Sequence, residues 1–223
     1  MNVKTFEEIA LGRRSIRRYD ETVDISNEEI TEILKIATTA PSSSNMQPWR
    51  FVVVSRGEAR EKILPFAQFN VLPVKTAAAV IAIYGDLESV KSAGSIMQKT
   101  VEMRGQSIED ISPAPDDQDA LSRLCIPKGK SAHEMIMEGY NFMPSNQKRS
   151  IALIDCGLVT MQLMQAARLL GYDTCALGAY DRESVAKALG MDNERYVPIM
   201  LLTIGKAAEA GNPQYRLPVS DVT

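Results

Sequence analysis

Apolar residues along this chain recur on two spacings, and capping signals divide them into elements. Ser26 and Glu29 stand three apart, as a capping box requires, with Ile25 and Ile30 placed to staple the helix start. Ile30, Ile33, Leu34 and Ala37 then repeat at helical spacing until Pro41, which pushes the residue before it out of the α region. Thr5 and Glu8 repeat the capping-box spacing, so a first helix starts at Thr5 and Gly12 can end it. Residues 51–55, "FVVVS", and 77–84, "AAAVIAIY", read as buried strands. A helix from about 150 to Gly171 spans roughly 30 Å. It is apolar on most sides, so burial on most sides is expected, part of it against another subunit. A short strand at 173–177, a helix at 182–189 ending at Gly190, a strand at 197–204 and a polar tail from 206 to 223 complete the pattern. Short apolar runs between capped helices predict an α+β fold. A mainly antiparallel sheet is expected from 51–55, 77–84, 173–177 and 197–204, with helices on both faces and 150–170 central.

Residues 86–149 break this pattern. They hold "SPAPDDQD", five methionines and short helical patches of weak periodicity. An inserted lid whose methionines adapt to varied apolar shapes fits these features, and so does a satellite core that methionines fill. The chain has 223 residues, enough for one domain with a substantial core. Its net charge of −3 gives no global electrostatic case for nucleic acid or an anionic membrane. The N-terminus has no signal-type apolar core, and Asp155, Gln162, Gln165 and Arg168 interrupt the longest apolar run. A soluble, cytoplasmic protein is therefore expected, with a small-molecule substrate and no nucleic-acid or membrane partner. Cys125, Cys156 and Cys175 form neither a disulfide framework nor a CxxC site, and the sole histidine is His133, so no metal site is expected.

Three stretches carry the candidate chemistry. "APSSSNMQPWRFVVV", residues 40–54, crowds small hydrogen-bonding groups ahead of a strand, as a loop holding a polar planar ligand requires. "GRRSIRRY", residues 12–19, gathers four arginines and a serine. Alone it reads as a solvated basic turn; its alternative is an anion site of arginine forks and a hydroxyl. "GNPQYRLP" sets Arg216 in an extended, proline-bounded segment. Ser42, Ser43 and Ser44 lack a nucleophile-elbow context, and glycine-rich phosphate loops are absent from the sequence. Polar loops and arginines without an acid–base pair leave two options: no chemistry, or chemistry borrowed from a cofactor.

Taken in order, the stretches resemble the FMN-dependent nitroreductase family. "RRSIRRY" is similar to its flavin-phosphate motif, and "APSSSNMQPWRFVVV" to its second flavin-contacting loop and the following strand. "AAAVIAIYGD", "DCGLVTMQLMQAARLLGYDTCALGAYD" and "PIMLLTIGKA" with "YRLP" resemble the next core strand, the central helix with the loop under the flavin, and the final strand and tail. The resemblance implies a three-layer α/β/α sandwich in a domain-swapped type of homodimer. It implies one FMN-binding domain over residues 1–223 with a lid at about 86–149. It also implies an oxidoreductase drawing on NADH or NADPH, with a ping-pong scheme delivering electrons to nitroaromatics or quinones.

By the same resemblance, Arg13, Arg14, Ser15 and Arg216 hold the FMN phosphate end and Arg17 reaches the pyrimidine edge of the ring. The backbone N–H of Gly178 faces flavin N5, with Ala176 and Leu177 beside it, and Asn70 is a further flavin contact. Arg17 and Gly178 are the two with catalytic roles. Pro41, Ser42, Ser43, Asn45 and Gln47 come from the other subunit, and Trp49 is a packing anchor. Leu177 stands where some members carry a glutamate, and Pro73 where some carry a lysine. Two other readings stay open here: a flavin-binding protein of this fold with a non-redox or sensing role, and a polyanion binder using "RRSIRR". The physiological acceptor and the choice between NADH and NADPH are not written in these residues.

Overall fold

The computed structural model describes residues 5–92 and 132–223. Among these, the helices are α1 (Phe6–Gly12), α2 (Asn27–Ala37), α3 (Glu58–Ile63), α4 (Val71–Thr76), α5 (Ala132–Phe142), α6 (Ser145–Leu169) and α7 (Arg182–Ala188). The strands are β1 (Trp49–Ser55), β2 (Ala79–Asp86), β3 (Asp173–Leu177) and β4 (Tyr196–Gly205). Cys125, the "SPAPDDQD" stretch and residues 93–131 of the expected lid lie outside the described residues, as does the side chain of His133. Both capping boxes form: Thr5 and Glu8, then Ser26 and Glu29, each exchange side-chain and backbone hydrogen bonds.

All strand pairs are antiparallel, in the order β1-β2-β4-β3. Strand alternation then divides the core in two. Ala79, Ile81 and Ile83 of β2 face Ile30 and Ile33 of α2 and Val159 and Leu163 of α6. Val80, Ala82 and Tyr84 face Ile63 of α3, Val74 of α4 and Val185 of α7. This is a three-layer α/β/α sandwich. A register shift between Ile83 and Tyr84 lets Val197 and Ile199 share the α6 face with Leu202 and Ile204, despite their opposite parity.

Two expectations need correction. The 51–55 run is an edge strand, not a fully buried one: Val53 is 37% exposed while Val54 is buried, because β1 has a neighbour on one side only. The central helix starts at Ser145, inside the range expected for the lid. Its first turn, "SNQKRS", is polar and carries no apolar period to read. Within the single chain that helix is buried on one face, which leaves the expected burial against another subunit untested. Ala152, Asp155, Cys156, Val159 and Leu163 are covered, while Leu153, Ile154, Leu158 and Met161 are exposed in the single chain. By length and composition α6 could cross a membrane, but its covered face packs on the sheet.

Candidate functional site

The arginine strip is fixed by the free edge of β3 and by the tail. Ser15 bridges Thr174 in parallel, and the Ile16 N–H donates to the Thr174 carbonyl at 3.2 Å. Buried Tyr19 donates to the Thr203 carbonyl at 3.2 Å, its own N–H donates to Thr76 Oγ1, and the Asp20 N–H donates to Lys206 O at 2.9 Å. The tail then folds back over the strip. Gly211 sits at φ 70°, and a Cβ there would lie 2.8 Å from Arg14 Cβ and 2.9 Å from Ile16 Cδ1. Only glycine allows both that backbone conformation and that approach. Gln214 Nε2 donates to Arg13 O at 2.5 Å.

The result is a cavity of about 140 Å³ lined by Arg13, Arg14, Ser15, Arg17, Gln214 and Arg216. Among the described residues, none of these arginines pairs with a carboxylate side chain. The nearby Glu209 carboxylate accepts the Arg17 backbone N–H at 2.6 Å. Arg14 donates to Leu11 O and Arg13 O, which satisfies the C-terminal end of α1. Guanidinium groups gathered without a carboxylate partner form a cradle for an external anion. Gln214 was missed in the sequence, because only the return of the tail brings it to Arg13.

From this cradle the site runs along β3. Ala176 is exposed; Leu177 is buried, its side chain in the core with Val80 and Leu201. A ligand beside β3 therefore meets Leu177 through its backbone alone. Gly178 follows at the exposed strand end, where an added Cβ would meet nothing within 4 Å, so a flat ring can approach closely. Asn70 Nδ2 donates to Ala179 O at 2.5 Å, which draws Asn70 to this end of the sheet. Phe69, Val71 and Leu72 beside it are exposed and make an apolar rim. Burial pushes the Cys175 thiol up, and Cys156 up to about 12, so neither offers a thiolate at neutral pH.

The serine loop lies elsewhere. Pro41 and Asn45 are exposed, and Ser42, Ser43 and Gln47 are half-buried. Ser44, Asn45 and Gln47 occupy the left-handed region, at φ 49°, 52° and 46°. The Ser43 N–H reaches both carboxylate oxygens of buried Asp155, at 3.2 and 3.1 Å, and Ser43 Oγ donates to Oδ1 at 3.1 Å. Ser42 Oγ accepts the Gln47 N–H at 3.0 Å, and Gln47 Nε2 donates to Asn45 Oδ1 at 3.3 Å. Trp49 is buried in the core, as its role as an anchor requires. Asp86, also buried, accepts from Arg50 at 2.8 Å and from Arg195 at 2.9 and 3.0 Å, while its N–H donates to Pro48 O. Burial raises the Asp86 pKa, but hydrogen bonds from Arg195 and the Glu88 N–H, with the charges of Arg50 and Arg195, outweigh it and hold the carboxyl below its usual value. Asp155 has Ser43 alone, and burial raises its pKa.

Thus one chain joins Arg13, Arg14, Ser15, Arg17 and Arg216 in one cavity, with Ala176, Gly178 and Asn70 along the adjoining strand end. It does not bring residues 41–47 to that cavity. Arg168 of α6 lies against Gly12, next to the strip, whereas Asp155 holds the loop roughly 20 Å away along the same helix.

The model of the nitroreductase family matches residues 10–206, and the chain belongs to that family. It is 47% identical over 219 residues to "Putative NAD(P)H nitroreductase YdgI" of Bacillus subtilis, covering 97% of this chain and 95% of that protein. A "putative nitroreductase" from Exiguobacterium sibiricum 255-15, solved in complex with FMN, superposes with a TM-score of 0.86 at 42% identity, over 100% of this chain and 98% of that one. The "CLA biosynthesis enone reductase" of Lactiplantibacillus plantarum is 33% identical over 203 residues, covering 91% of this chain and 85% of that protein.

Proposed function

We propose that two copies of this chain form a dimer that binds FMN at two equivalent sites and passes electrons from NADH or NADPH to electron-poor conjugated acceptors. The observation that carries this reading is the cradle of Arg13, Arg14, Arg17 and Arg216, whose guanidinium groups have no carboxylate partner among the described residues. Arg13, Ser15 and Arg216 grip the phosphate, with Arg14 behind them. Arg17 supplies fixed positive charge to the pyrimidine edge of the ring, where negative charge gathers on reduction. The Gly178 N–H would face the flavin's N5 side, and Asn70 fixes the strand end beside it by donating to Ala179 O. When bound, FMN supplies the two-electron chemistry that no side-chain pair here offers. Donor and acceptor use one exposed face in turn, a ping-pong order. Nitro compounds, quinones and enones share the electron-poor conjugation this chemistry needs, and an enone is the acceptor class in one relative's name.

The exposed apolar stripe of α6 supports the dimer. Ile154 and Leu158 are 63% and 45% exposed on a helix whose other face is core. In the proposed dimer, loop 41–47 of one copy reaches the neighbour's cradle. Leu158→Asp is expected to give a monomer in sedimentation that loses FMN; a monomer retaining FMN would remove the shared site. The chain between Asp86 and Ser145 is proposed to be an insertion within the single domain, because its described flanks meet: Val90 and Tyr140 pack with Met46, and the Tyr140 hydroxyl donates to Leu87 O.

The test of function is the visible spectrum of the purified protein. Flavin bands should bleach with NADH or NADPH under anaerobic conditions and return on adding a nitroaromatic, a quinone or an enone. Bands that neither nucleotide bleaches would favour the flavin-binding, non-redox reading. Colourless protein with steeply salt-dependent polyanion binding would favour the basic cluster as a polyanion site.

A further inference from the structure

A carboxylate buried on an apolar helix needs a reason. Asp155 is 2% exposed and accepts three hydrogen bonds, all from Ser43. No cation pairs with it among the described residues. It is also the point where α6 grips a loop whose backbone is under strain. Three of the four residues from 44 to 47 are non-glycines at positive φ. Such conformations cost free energy and persist only where the surroundings over-determine them, typically at ligand clamps. Without the anchor, the loop has every reason to relax toward ordinary backbone geometry.

We infer that Asp155 is a positioning residue: it holds the 42–47 loop in its strained form, so that Asn45 and Gln47 present their polar groups to the FMN of the partner subunit. The inference rests on the proposed dimer with crossed loops. It adds the source of the loop's shape and the direction of the effect, from α6 of one subunit to the flavin of the other. A carboxamide can reproduce the anchor. Its oxygen accepts the Ser43 N–H and its NH₂ donates to Ser43 Oγ, so geometry rather than charge is what the loop needs. The buried position of the acid follows from the same role, since water would otherwise compete for Ser43.

The test uses full-length holoenzyme. Asp155→Ala is expected to weaken FMN binding about tenfold to a hundredfold, the size expected when strained residues are released. Asp155→Asn should restore affinity to within about threefold of wild type. Ser43→Ala keeps the backbone donor and should fall between them, which guards against loss of fold in Asp155→Ala. Mixed dimers with two affinity tags then read direction. With Asp155→Ala on one subunit and Arg13→Ala on the other, both defects fall in one site and one FMN per dimer should remain. With both changes on the same subunit, both sites are damaged and FMN should be lost. A reversed pattern would overturn the crossing, and so the inference as stated. Asp155→Ala with wild-type FMN affinity would overturn the positioning role and leave the FMN reading standing. The FMN content of the wild-type dimer tests that reading by itself.

Discussion

The arginine strip and the serine loop are opposite kinds of unfinished structure. The strip has ordinary extended backbone, stapled to β3 and to the tail, and it leaves cations without anions. The loop has strained backbone and ties Ser43 to a buried carboxylate that no cation pairs with among the described residues. The strip therefore waits for charge, and its folding does not depend on its ligand. The loop waits for shape, and its form depends on what holds it from behind. Perturbing the strip should change binding with little change in stability. Perturbing what lies behind the loop should change stability and binding together.

The hardest test of that contrast is Asp86→Ala. It strands Arg50 and Arg195, the two side chains braced on its carboxylate, while the backbone bond from residue 86 to Pro48 O stays. Breaking a buried pair costs about 3–5 kcal/mol. These arginine side chains are 36% and 39% exposed, so water screens the charges left behind and the loss falls below that range; a lowered urea midpoint is expected. A loss below about 0.5 kcal/mol would show that the brace is idle. Arg13→Ala should do the reverse: FMN affinity falls about 10²-fold by fluorescence titration, while the urea midpoint of the apoprotein stays put. Arg216→Ala should follow in the same direction, and a matching loss of stability in either variant would break the comparison.

Arg17→Met should be milder. It keeps much of the apolar stem and removes the charge, so the protein still purifies yellow. Its midpoint potential is expected to fall by tens of millivolts in spectroelectrochemistry; about 30 mV corresponds to about 1.4 kcal/mol for two electrons. Equal potentials in the two proteins would leave Arg17 as surface charge.

The smallest effect is the pH dependence of the two buried acids, and it has opposite signs. Asp86 lies below its usual pKa of 3.8, so its stabilisation is complete above that value and is lost as pH falls further. Asp155 lies above 3.8, so the folded state holds its proton longer, and stability declines as pH rises from 3.8 through its folded pKa. Asp155→Asn should remove that decline without touching the loss at lower pH. Urea midpoints from pH 3 to 7 check both, and parallel curves for wild type and Asp155→Asn would contradict the assignment.

Much of this molecule was legible locally. The capping boxes at Thr5 and Ser26 formed as read, because helix starts are decided within one turn. The strands were found from their apolar runs, although β1 looked as buried as β2; strand order, which residue patterns do not carry, makes one an edge and the other central. The start of α6 was missed for want of apolar residues in its first turn. Asp155 was visible as an interruption of an apolar helix, but its partner is far away in sequence, at Ser43. The same holds for Asp86 with Arg195 and for Gln214 with Arg13.

The sequence by itself determined the element types, the two-faced strands and the order of motifs that marks the family, since these depend on contacts within a few residues and on alternation along a strand. Only the tertiary structure decided which charges are left open. Whether an arginine is neutralised, stacked or free depends on what chain returns to it, and a tail folding back at Gly211 left Arg13, Arg17 and Arg216 around one cavity while buried Asp86 paired with Arg50 and Arg195.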